Sequence, residues 1–197
     1  MVAAGVVPGD RVAVLSKNHA VFFELAFACS KAGAILVGLN WRLAPAEIAA
    51  IVADASPKVI VVADEQLPLL TAQARATAGI SSILSLDTEY EPWIASGTGV
   101  DPNVEVGPDD TVLLLYTSGT TGVPKGVELT NRNTAYTKLL ATEVWGFSAD
   151  KVNLAGMPMF HIGGIGYGMG ALLIGDIRSC YGSSIRRRSL RPFPLIA

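Results

Sequence analysis

The stretch from Tyr116 to Gly126, YTSGTTGVPKG, concentrates groups that suit one kind of ligand. Hydroxyls at Thr117, Ser118, Thr120 and Thr121 can donate hydrogen bonds. Glycines at 119, 122 and 126 let the main chain approach a ligand and turn its N–H groups inward. Lys125 adds a full positive charge. Donors and a cation gathered in one loop suit clustered anionic oxygens, and a polyphosphate above all. The spacing is not that of a P-loop. Counting from Gly119, the second glycine of G-x4-G-K-[ST] would fall on Pro124, and Gly126 rather than Ser or Thr follows Lys125.

Such a loop needs a rigid carrier. Thr111–Tyr116 (TVLLLY) is a continuous apolar run, which predicts a strand buried on both faces and leading straight into the loop. Val127–Thr130 predicts a short returning strand. Asn131–Trp145 follows as a helix, with Asn131 or Asn133 as N-cap. Upstream, short apolar runs alternate with longer helical patterns. Strands are expected at Arg11–Ser16, Ala34–Leu39, Lys58–Ala63 and Ser82–Leu86. Helices are expected at His19–Ala32, at Pro45–Ala55 with Pro in the first turn, and at Gln66–Ala78. Ser96–Asp110 is rich in Gly, Pro, Asp and Asn and predicts a surface connection. This alternation argues for an α/β fold with a mostly parallel sheet.

The chain has 197 residues, half of them hydrophobic and 16% charged, which is a globular composition. The net charge of −2 gives no ground for a nucleic-acid partner. The charge is unevenly spread. Residues 178–197 carry five arginines (178, 186, 187, 188 and 191) and no acid, leaving ten Lys and Arg against seventeen Asp and Glu before them. Two cysteines are too few for a disulfide framework. Cys29 lies in an apolar run and predicts a buried thiol in a reducing compartment. The N-terminus has no signal-peptide pattern, and a cytoplasmic protein is the expectation. The Gly-rich run from His161 to Asp176 is too short for a bilayer span and predicts a buried, closely packed segment. No feature sets an oligomeric state, and no metal-ligand cluster is evident.

YTSGTTGVPKG resembles the signature loop of the adenylate-forming superfamily: acyl-CoA synthetases, luciferases and peptide-synthetase adenylation domains. Three other stretches resemble the same family in the same order. Pro8–Val14 resembles its opening strand. Asn40-Trp-Arg-Leu-Ala-Pro-Ala-Glu47 resembles its N-x-R-L-x-x-x-E segment, although Arg42 and Glu47 are read more simply as a surface ion pair. Met157-Pro-Met-Phe-His161 resembles the segment before the acyl-site helix. One departure is Asn131, where the family often has His.

The resemblance implies part of the family's large N-terminal domain over residues 1–177, in incomplete form. It implies that Thr117, Ser118, Gly119, Thr120, Thr121, Gly122 and Lys125 surround the β- and γ-phosphates of ATP, with Thr117 and Lys125 in catalytic roles. It implies that Phe160 and His161 line the carboxylate end of an acyl pocket. Gly163, Gly164 and Gly168 would either leave room for an acyl chain or permit close helix packing. The implied reaction joins ATP and a carboxylic acid, with a fatty acid favoured by the apolar pocket segment. It gives acyl-AMP and pyrophosphate, and CoA then displaces AMP. Mg²⁺ would assist, but the family's Y-G-x-T-E string, which carries the Mg²⁺-binding Glu, is absent.

After Asp176 the family pattern breaks. Back-translated with GC-rich codons and read in a shifted frame, the tail from Arg178 yields VVLREFDPAAVA, close to what the family would place there. The expectation is therefore a frameshifted basic tail over 178–197 and a chain inactive by itself. Two alternatives stand: an adenylation domain that loads a carrier protein, and a non-catalytic remnant.

Overall fold

A computed structural model describes residues 1–117, 124–148, 153 and 155–174. A 3-10 turn at Val2–Ala4 opens the chain. The regular elements are β1 Arg11–Leu15, α1 Val21–Ala32, β2 Ile35–Gly38, α2 Pro45–Ala55, β3 Val59–Val62, α3 Ala72–Arg75, β4 Ser82–Ser85, α4 Tyr90–Ala95, β5 Thr111–Thr117, β6 Lys125–Thr130, α5 Asn131–Glu143 and α6 Ile162–Leu173.

The strands form one six-stranded sheet in the order β4-β3-β1-β2-β5-β6. All neighbours pair in parallel except β5 and β6, which are antiparallel. The α/β class and the mostly parallel sheet expected from the sequence are both present. Each face of the sheet has its own core. On one face α1 packs Val21, Phe22, Leu25 and Cys29 against Val12, Val14, Leu36, Val59 and Val61, and Ile165 of α6 joins them. On the other, α2 packs Ile48, Ile51 and Val52 against Ala13, Leu15, Val37, Ile60 and Val62. Alternate residues of β1, β2 and β3 serve opposite faces, so these strands read as apolar runs. Burying one Val, Leu, Ile or Phe side chain contributes about 1.5–3 kcal/mol. These two layers therefore dominate the stability.

This layering sets where a ligand can sit. The chain leaves β1 through α1 on one face and leaves β2 through α2 on the other. Adjacent parallel strands with exits on opposite faces open a crevice at their C-terminal ends. That edge holds the ends of β1, β2 and β5.

Local signals explain most boundaries. Gly33 ends α1 at φ 65°, and its N–H reaches the carbonyls of Cys29 and Ser30. Pro45 begins α2, and the Glu47 carboxylate accepts the Ala44 N–H at 2.8 Å. Glu47 is thereby committed to the helix start, and no Arg42–Glu47 ion pair forms among the described residues. The single helix expected over Gln66–Ala78 is replaced by a 3-10 segment, Asp64–Leu69, and the short α3. Pro68 lacks the N–H a helix interior needs, and Thr71 starts a new helix by accepting the Ala74 N–H. The N-cap of α5 is Thr130, not Asn131 or Asn133. Its hydroxyl accepts the Asn133 N–H while the Asn133 side chain accepts the Thr130 N–H, a reciprocal capping box. Strand β6 begins at Lys125, earlier than the expected Val127, and α4 was not anticipated at all. The tail from residue 178 lies outside the described residues.

Candidate functional site

Strand β5 carries Thr117 to the C-terminal edge of the sheet, and β6 returns from the same edge. Their antiparallel register sets Thr117 opposite Lys125 and Tyr116 opposite Gly126. The Thr117 hydroxyl donates to the Lys125 carbonyl at 3.5 Å, a long bond. The Lys125 side chain is exposed and has no acid partner among the described residues. Ser118, Gly119, Thr120, Thr121 and Gly122 lie outside the described residues. The structure thus places the two ends of the loop, Thr117 and Lys125, side by side.

The frame behind this hairpin is tied down. The Tyr116 hydroxyl donates to the Asp54 carboxylate of α2 at 2.5 Å. Burial, then Asp54, pushes the phenol above its usual range. Gly126 leaves space for this ring: a Cβ there would meet Tyr116 Cζ at 3.3 Å and Leu114 Cδ1 at 3.0 Å. A cleft of about 310 Å³ along this face is lined by Arg11, Asp54, Tyr116, Gly126 and Glu128. It borders the face of the hairpin, and Thr117 and Lys125, at the loop end, do not line it.

The second half of the site is the start of α6. His161 is the N-cap, and its Nδ1 accepts the Gly163 N–H at 3.1 Å. A neutral ring accepting at Nδ1 carries its proton on Nε2, so Nε2 is the donor available to a ligand. Phe160 is half-buried, with its main chain against Gly38 at the end of β2. The Arg42 guanidinium lies 5.0 Å from the Trp41 ring centroid and 5.9 Å from that of Phe160. Arg42 thus stacks on two rings where an ion pair with Glu47 was expected.

The glycines of α6 divide by geometry. At Gly164 a Cβ would fall 2.1 Å from the Pro158 carbonyl oxygen, and at Gly168 it would fall 2.3 Å from the Phe23 ring. Both positions are filled by neighbouring protein, so their smallness permits close packing. At Gly163 the nearest atom is the terminal methyl of Met157, whose side chain is flexible and exposed.

Strands β2 and β5 are neighbours, with Gly38 paired to Leu115, two residues before Thr117. The Phe160–His161 step and the Thr117–Lys125 hairpin therefore occupy one edge of adjacent strands. Sequence reasoning missed Asn18, which reaches from the end of β1 to the main chain at Met157 and Met159. A lone Asn after a strand carries no distinguishing pattern. Among the described residues no group of three His, Cys, Asp or Glu side chains gathers to hold a metal, and no helix is long and apolar enough to cross a membrane.

Comparison with known proteins agrees with this fold. The profile of the AMP-binding enzyme family matches residues 1–191. A fatty acid–[acyl-carrier-protein] ligase, ScoC from Streptomyces coeruleorubidus, is 40% identical over 168 residues, covering 83% of this chain and 32% of ScoC. The long-chain-fatty-acid–CoA ligase FadD13 of Mycobacterium tuberculosis is 34% identical over 169 residues, covering 82% of this chain and 33% of FadD13. Among solved structures, the inhibitor-bound N-terminal domain of FACL13 from Mycobacterium tuberculosis is 30% identical. It superposes with a TM-score of 0.82 over 89% of this chain and 44% of that one. A long-chain-fatty-acid–CoA ligase, FadD1 from Archaeoglobus fulgidus, gives a TM-score of 0.83 at 27% identity, over 93% of this chain and 37% of that one. The chain spans about a third of the length of the curated relatives it matches. The signature stretch, the mostly parallel sheet and the profile match lead to one conclusion: this chain belongs to the AMP-binding enzyme family.

Proposed function

We propose that this chain is the ATP-holding part of an acid–thiol ligase that activates a carboxylic acid, most simply a fatty acid, as its acyl-adenylate. The observation that supports this reading is the hairpin that sets Thr117 beside Lys125 at the C-terminal edge of the sheet. The intervening residues Ser118, Gly119, Thr120, Thr121 and Gly122 complete a run of donors suited to phosphate oxygens.

The chemistry is a problem of charge. A carboxylate oxygen attacks the α-phosphorus of ATP, an O–P bond forms, and the bond to the β-phosphate bridging oxygen breaks. Pyrophosphate leaves with the electron pair. Main-chain N–H groups, the hydroxyls and the Lys125 ammonium hold the β- and γ-phosphates and stabilise the charge gathering on the leaving group. Phe160 and the Nε2–H of His161 border the acid, with Gly163 at the wall. In the second half-reaction a thiol sulfur attacks the acyl carbon, AMP departs, and the thiol proton passes to solvent. CoA is the proposed thiol. Mg²⁺ accompanies ATP in such chemistry, but among the described residues no group of three His, Cys, Asp or Glu gathers to hold it.

A second reading changes only the acceptor. ScoC, at 40% identity, is by name a ligase for an acyl carrier protein. We also infer that residues 178–197 arise from a shifted reading frame, because a GC-rich back-translation of the tail, read two nucleotides on, gives a family-like run. Resequencing the DNA tests that directly, and the absence of a family-like frame after Asp176 would end it.

Function is tested by ATP–pyrophosphate exchange with a panel of acids, on this chain and on a frame-restored, full-length form. The reading expects exchange from the restored form with a hydrophobic acid, and little or none from this chain alone. CoA and a carrier protein offered in parallel then distinguish the acceptors. A restored form that exchanges with no acid contradicts the ligase reading.

A further inference from the structure

Asn18 follows the last residue of β1 by three positions and is half-buried. Its Nδ2 donates to the Met157 carbonyl at 2.9 Å, and its Oδ1 accepts the Met159 N–H at 3.0 Å. One side-chain amide thus satisfies two main-chain groups on either side of Pro158, as the peptide of an adjacent strand would. The bonds cross 139 and 141 residues of sequence.

What they hold is the step into the site. Met159 is fully buried in the core shared by α1 and the sheet. Phe160 is pressed on Gly38, and His161 starts α6. Burial of Met159 fixes the depth of this segment but leaves its rotation about its own axis open. A donor and an acceptor on one rigid amide fix that rotation as well. The residue type is specific. Asp offers two acceptors and sets an oxygen against the Met157 carbonyl. Leu matches the shape and makes neither bond. Gln adds a methylene the spacing does not admit.

We propose that Asn18 is a positioning residue for the acid-binding end of the site, setting where Phe160 and His161 stand over the crevice between β1 and β2. The assignment of that crevice to the acid rests on the proposed function. The tether itself does not, so the test reads it without any ligand.

The experiment is residue-resolved amide hydrogen exchange on the full chain and its Asn18→Leu and Asn18→Asp variants, each expressed as a ratio to the unmodified chain. At about pH 7.5 both variants should speed exchange at Met159, Gly163, Gly164 and Ile165 by roughly tenfold, as expected for losing a hydrogen bond worth about 1.4 kcal/mol. Amides of β1 and β3 should hold. Towards about pH 3.5, below the ordinary value of Asp, the Asp variant alone should recover, because its protonated carboxyl both donates and accepts. The unmodified chain at the same pH carries the same His19, His161 and Lys17–Glu65 pair, so the ratio reads the change at residue 18. The proposal is overturned by unchanged exchange at those four amides, by equal acceleration across β1 and β3, or by no acid recovery of Asn18→Asp.

Discussion

The main chain of Phe160 lies so close to Gly38 that a Cβ on residue 38 would fall 2.9 Å from the Phe160 Cα. The end of β2 therefore serves as a flat seat for the residue that precedes the N-cap of α6. Gly38→Ala should push this segment outward and cost about 1–3 kcal/mol, the usual cost of overpacking. Gly156→Ala is the matched control, because a Cβ there meets nothing within 4 Å. Urea unfolding of both variants checks the contrast. Equal stability would mean that Phe160 is not seated on the strand.

The bond from Tyr116 to Asp54 links the strand that carries the loop to the helix behind it. Tyr116→Phe should cost only about 0.5–1 kcal/mol, because the pair is partly open to water and solvent screens it. A double-mutant cycle with Asp54→Ala should return a coupling of the same size. Zero coupling would show that the contact does not bear on stability.

Burial pushes the Cys29 thiol up to about 12. The folded state then keeps a proton that the unfolded chain releases near pH 8.5. Because the folded pKa is the raised one, this stabilisation is complete below about pH 8.5 and is lost as pH rises towards 12. Unfolding free energy should fall by about 1 kcal/mol between roughly pH 8.5 and 9.5, and the slope should shrink in Cys29→Ala. In Cys180→Ser, thiol labelling of Cys29 should require unfolding. Fast labelling of the native chain would contradict its burial.

The legible parts of this chain are those whose signal is local and repeated. Apolar runs such as Val59–Val62 give the strands, and Gly33 and Pro45 punctuate the helices around them. The YTSGTTGVPKG stretch points to the candidate site because its donors are consecutive. What was hidden depends on distant partners. Asn18 acts on residues about 140 positions away, Glu47 prefers the helix start to Arg42, and Gly164 and Gly168 owe their smallness to Pro158 and Phe23. The N-cap of α5 is Thr130 where Asn131 or Asn133 was expected, because Thr130 and Asn133 cap reciprocally and either alone resembles a cap.

The central claim is that the hairpin joining Thr117 to Lys125 holds the terminal phosphates of ATP. Titrating the chain with inorganic pyrophosphate, ATP and AMP while following backbone amide shifts tests it most directly. The account predicts shifts centred on residues 116–126 with pyrophosphate and ATP, weak ones with AMP, and loss of most pyrophosphate affinity in Lys125→Ala. Shifts centred elsewhere, or unchanged pyrophosphate affinity in Lys125→Ala, would contradict it.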